Sequence, residues 1–95
     1  MIKITNKKGV SADIFYDTIK STLTDFVNEQ LKTQLTFEFE KIADTIVIKQ
    51  PVVTDNVLYL ITVHENEVIV NKNAGTFNVP LFEDRLIAFA HIVVD

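Results

Sequence analysis

Eight consecutive residues, Val57-Leu58-Tyr59-Leu60-Ile61-Thr62-Val63-His64, constrain this chain more than any others. Aliphatic, β-branched and aromatic residues dominate the run, and such residues fit a pleated, buried surface. Extended, the run turns Val57, Tyr59, Ile61 and Val63 to one side and Leu58, Leu60, Thr62 and His64 to the other. Both sides are mostly apolar. The run therefore predicts a strand covered on two faces, with the rest of the chain supplying the cover.

The chain has 95 residues, the size of one domain, and residues 1–95 are read as a single unit without linker, repeat or low-complexity tract. At this length about 60–70% of the unfolded surface can be buried, enough for a core without staples. Apolar residues make up 47% and charged residues 23%, which rules out a disordered tail. Two glycines and two prolines in the whole chain place most residues in regular elements.

Around the organising strand the periodicity changes twice. Ile2 and Ile4 alternate with Lys3 and Thr5, predicting a short edge strand within residues 1–8. Ser11 then offers an N-cap oxygen and Asp13 complements the first turn of a helix. Phe15, Ile19, Leu23, Phe26 and Val27 recur at three- and four-residue steps, predicting a helix from about 11 to 33. From Leu35 the period becomes two, with Leu35, Phe37 and Phe39 alternating with Thr36, Glu38 and Glu40.

Turn residues near Asp44, at Thr54-Asp55-Asn56 and at Glu65-Asn66 separate the successive extended runs. The Glu65-Asn66 turn is expected to use the tolerance of asparagine for positive φ. The predicted fold is therefore α+β: an N-terminal helix, an antiparallel four-stranded meander (35–41, 45–50, 56–64, 67–72) and a C-terminal helix packed on the sheet. That last helix is expected over about 79–91, with Asn78 as N-cap and Pro80 in the first turn. The β-branched Ile92-Val93-Val94 makes a terminal strand its competitor.

Composition excludes several functions. With no cysteine there are no disulfides, thiolate metal sites or thiol nucleophiles. A net charge of −4 argues against a nucleic-acid binder, and Lys3, Lys7 and Lys8 read as a solvated patch. Residues 1–8 lack the apolar core of a signal peptide, and the longest apolar run, Leu86–Val94, is far short of a membrane span. A cytoplasmic protein is expected. Heavy use of Lys, Asn, Ile and Phe, with Arg85 the only arginine, suits an AT-rich bacterial or phage genome.

Three groups of residues bear on chemistry. His64 lies beside Glu65 and Glu67, but neighbouring strand residues diverge, so a rim of solvated charges is the better reading. Asp84, His91 and Asp95 share a helix face, yet no nucleophile accompanies them. Glu38 and Glu40 share a strand face and read as a device that keeps an edge soluble. With only Gly9 and Gly75, a glycine-rich phosphate loop has no sequence to form from. The expectation is no enzyme, with no catalytic, cofactor-binding or metal-ligating residues and no cofactor.

Two functions remain. The first is a non-enzymatic interaction or assembly module, self-associating as a homodimer through an apolar C-terminal element: Phe82, Leu86, Ile87, Phe89 and Val94. The second is an acidic inhibitor or regulator of a host protein, presenting Asp17, Asp25, Glu29, Glu38 and Glu40. Either partner is a protein, not nucleic acid or membrane.

Overall fold

The structure is a computed structural model that describes residues 1–50, 56–73 and 81–95, with Asn56 described in its backbone alone. In chain order it runs β1 (Ile2–Thr5), α1 (Ala12–Leu31), β2 (Glu38–Ile42), β3 (Thr45–Gln50), β4 (Asn56–Val63), β5 (Glu67–Lys72) and α2 (Phe82–Val94). The strands form one antiparallel sheet in the order β1-β5-β4-β3-β2, which puts the organising strand β4 at its centre. The fold is α+β, as predicted, with five strands in place of four. The additional one is β1, which pairs outside β5 (Ile2 opposite Val70, Ile4 opposite Val68).

Register shows which side chains share a face. Ile4, Ile46, Ile48, Tyr59, Ile61, Val63, Val68 and Val70 turn to one side and meet Phe15, Ile19, Leu23 and Val27 of α1. Phe82, Leu86, Phe89, Ala90 and Val94 of α2 complete this core. Each fully buried aliphatic or aromatic side chain contributes roughly 1.5–3 kcal/mol, so the four α1 residues alone fix the helix on the sheet. The helices also pack on each other, with the Phe26 and Phe89 rings 5.7 Å apart.

Both helices lie on that one face. Val47, Leu60 and Ile69 project from the other, apart from the cluster under the helices; Val47 is buried there and Leu60 and Ile69 are half-buried. The expectation of cover on two faces is therefore met by helices on one side only. Leu58 is an informative exception: β4 carries an irregularity opposite the Ile48/Lys49 step, where Tyr59 and Val57 face successive β3 residues and Leu58 is passed over. A bulge re-aims its side chain, and Leu58 joins the core at 1% exposure.

The helix ends follow local chemistry. The Ser11 side chain accepts the Ile14 amide at 3.2 Å, as an N-cap should. Lys32 closes α1 in the left-handed conformation, its N–H on the Asn28 carbonyl. The chain enters β2 only at Glu38, so Leu35, Thr36 and Phe37 precede the strand instead of opening it. α2 continues to Val94, past the predicted stop at 91, and no terminal strand forms. Leu81, with φ 66°, occupies its N-cap position without a side-chain bond; the expected roles of Asn78 and Pro80 lie outside the described residues.

The predicted turns near Asp44 and at Glu65-Asn66 are two-residue hairpin tips; of the one predicted at Thr54-Asp55-Asn56, Thr54 and Asp55 lie outside the described residues and Asn56 opens β4. The positive φ falls on Ala43 (55°), and Asn66 does not use it. His64 N–H donating to the Glu67 carbonyl at 2.8 Å closes the second hairpin without it.

Candidate functional site

The residues expected at an interface divide sharply. Phe82, Leu86, Phe89 and Val94 are at most 4% exposed and belong to the core, and Ile87 is half-buried. α2 uses its apolar surplus inside the fold, because it packs on the sheet and on α1 together. What it leaves outside is Ile92, 63% exposed, and Leu81.

The five acidic residues do not form one face. Asp17, Asp25 and Glu29 are exposed on α1, in the helix layer. Glu38 and Glu40 share the phase of Val47 and point from the opposite side of the sheet.

That opposite side carries apolar side chains with no described helix over them. Val47 pairs with Leu60 and Thr62 with Ile69, placing three apolar side chains over the three central strands. Leu60 and Ile69 are half-buried, and Ile42 at the β2 end of the face is 65% exposed. Polar groups ring this patch. Glu40 and Lys49 pair at 3.1 Å beside Val47, and the Thr45 and Thr62 hydroxyls meet at 3.3 Å. Lys3 and Glu67 stand at the β1–β5 side.

Each histidine has an exposed aspartate as its neighbour. His64 Nδ1 is 3.7 Å from an Asp44 carboxylate oxygen, a neighbour brought by the β2–β3 turn and not by Glu65 or Glu67. His91 Nδ1 lies 3.1 Å from Asp95, which also approaches Lys7 at 3.8 Å. All of these side chains are 42% or more exposed, where such pairs contribute little. Asp84 stands apart, adding its charge to the field at Tyr59. Among the described residues no three His, Asp or Glu side chains gather as a metal ligand set.

Among the described residues Tyr59 is the one strongly perturbed group. Burial pushes its phenol up, and the charge and hydrogen bond of Glu83, reached at 3.2 Å, push in the same direction. The folded chain holds this proton at pH values where the unfolded chain, titrating near its ordinary 10, has released it. The associated stabilisation is full below about pH 10 and declines as pH rises beyond it. A denaturation series from pH 8 to 11 should show that decline, and Tyr59→Phe should flatten it.

Sequence reasoning missed two asparagine clamps. Asn6, 5% exposed, donates from Nδ2 to the Val10 and His64 carbonyls (3.0 and 2.9 Å) and accepts the Val10 amide at 2.9 Å. Asn28 holds both backbone groups of Leu35, at 2.8 and 2.7 Å, and so fixes the α1–β2 connection. An asparagine at an element's end is the local signal for such bonding, but its distant partner, residue 64 in the case of Asn6, is invisible in sequence. Arg85, the sole arginine, buries Nε without a hydrogen-bond partner among the described residues.

No protein-family model, curated protein or solved structure matches this chain. Among the described residues no helix is long and apolar enough to cross a membrane.

Proposed function

We propose that this chain is a non-enzymatic protein-interaction module that self-associates through the uncovered face of its sheet. The observation that carries the reading is the set of apolar side chains Val47, Leu60 and Ile69 on the side of the sheet away from the helices, where Val47 is 7% exposed, Leu60 and Ile69 are half-buried, and no described helix lies over them. Water-facing antiparallel sheets normally alternate apolar-in with polar-out, and here the three central strands break that rule on their outer side. The large apolar side chains that α2 and its N-cap leave exposed, in contrast, are Ile92 and Leu81.

Five strands at about 4.8 Å spacing give a face on the order of 400 Å² per partner. That is below the ~800 Å² per partner of standard interfaces, so the complex is a weak, concentration-dependent one. Light scattering across a wide concentration range should show the molar mass of wild type climbing toward twice the 10.8 kDa of one chain. Leu60→Lys should hold the mass at one chain without loss of fold, while Ile92→Glu should leave the climb intact. A climb abolished by Ile92→Glu and untouched by Leu60→Lys would move the interface to α2. A wild type that stays at one chain throughout would refute self-association.

The second reading, an acidic regulator of a basic partner, is favoured by Glu38, which is exposed at the free β2 edge.

A further inference from the structure

We propose that the groove between α1 and the free edge of β2 docks an extended segment of another protein in which basic and apolar residues alternate, added to the sheet as a sixth strand. This site lies along the sheet edge and adjoins the self-association face at Glu40, and its test does not depend on that reading.

Among the described residues β2 ends the sheet, and one side of its backbone has no strand partner there. The two-residue hairpin that pairs Ile42 with Thr45 sets the phase. Residues 42, 40 and 38 exchange hydrogen bonds with β3, and Phe39 and Lys41 turn their amides and carbonyls outward. One contact confirms that phase: the Tyr16 hydroxyl, from α1, donates to the Phe39 carbonyl at 3.2 Å. Just beyond it lies an open groove lined by Lys20, Thr24, Phe37, Glu38, Phe39 and Glu40. Lys41, held 2.9 Å from Asp13, marks the end of the edge nearest the hairpin. An edge strand flanked by a helix, with pockets for alternate side chains, is the geometry of recognition by strand addition.

The two sides of the groove state the partner's chemistry. A residue opposite Phe39 places its side chain on the helix side, over Phe37, Phe39 and Thr24, and an apolar one fits. Its neighbours fall on the outer side beside Glu38 and Glu40. Lys49 occupies Glu40 at 3.1 Å, leaving Glu38 the freer charge, and a lysine or arginine fits there. Opposite charges paired across strands are favourable and like charges are not. A second β2 is thereby disfavoured as the occupant. With the helix layers on one side, antiparallel registers centred on residue 38, 39 or 40 set glutamate against glutamate.

The test is titration of the full chain with an acetylated, amidated octapeptide of alternating lysine and valine, followed by amide NMR. Its glutamate–valine counterpart is the charge control. The lysine peptide should bind about tenfold or more tighter, shifting the Phe39 and Lys41 amides most. Because the valines face Phe39 and Lys41, N-methylation of the valine amides should abolish binding, whereas N-methylation of the lysine amides should leave it within about threefold, a small energetic change. Glu38→Lys should reduce or reverse the preference between the two peptides. Equal loss for both N-methylated peptides, equal binding of the two charge forms, or shifts centred away from β2 would each overturn the proposal.

Discussion

Asn6→Asp is expected to lower the unfolding free energy by about 4 kcal/mol, from a total of roughly 5–14 kcal/mol for a chain of this size. The exchange replaces the amide nitrogen of a buried side chain with oxygen and changes almost no volume. Its two donated bonds, to the Val10 and His64 carbonyls, become contacts between oxygens near 3 Å. A charge is also introduced at a site 5% exposed. The damage falls where three parts of the chain meet. Asn6 N–H holds the Asn66 carbonyl at 3.0 Å in the β4–β5 hairpin, and Lys8 N–H holds the Val94 carbonyl at 3.1 Å at the end of α2.

The penalty has a pH signature. Burial against carbonyls raises the pKa of the introduced acid in the folded state, so the deficit is smallest below the unfolded pKa of about 4 and grows as pH rises through the folded value. Chemical denaturation of wild type and variant at pH 4 and pH 7 measures both effects. A loss under about 1 kcal/mol at pH 7 would show that the clamp is not a buried junction.

Phe82→Ala is expected to cost about 3–5 kcal/mol, the range for emptying a buried aromatic site. Phe82 is 2% exposed and joins α2 to two other elements. Its ring centroid is 5.0 Å from that of Phe37, ahead of β2, and 5.5 Å from that of Tyr59 on β4. Aromatic pairs add about 0.5–1.5 kcal/mol beyond area, and both are lost together. For a domain of this length each 1 kcal/mol lowers Tm by about 4–8 °C, so the variant should melt at least about 12 °C below wild type. The shift should be independent of protein concentration, because the residue serves the core and not an association surface. A small loss that grew with concentration would instead place Phe82 between chains.

What was legible in the sequence followed from local period. The stripe of Phe15, Ile19, Leu23 and Val27 identified α1 and its buried face, and Ser11 identified its start. Thr45–Gln50 and Glu67–Lys72 fell at the predicted bounds because turn residues enclose short β-branched runs. Non-local geometry was not legible. Ile2 and Ile4 announced a strand, but nothing near them indicated β5 as the neighbour. The alternation of β4 predicted Leu58 and Leu60 on one face, and the irregularity after Ile48 separated them. The apolar run of α2 read as surplus because a helix touching both a sheet and another helix needs a wider apolar arc than one lying on a sheet.

The candidate surfaces were hidden for the same reason. Val47, Leu60 and Ile69 come from three strands and meet only through register. The groove beside β2 joins Lys20 and Thr24 to Phe37–Glu40 across the α1–β2 connection that Asn28 holds in place.

Methyl NMR read against protein concentration reports directly whether association uses the outer face of the sheet. The Leu60, Ile69 and Val47 methyl signals should shift progressively as concentration rises, while those of Ile92 and Ile14, exposed in the helix layer, stay fixed. Shifts confined to Ile92, Ile87 and Leu81, or no concentration dependence at any methyl, would contradict it.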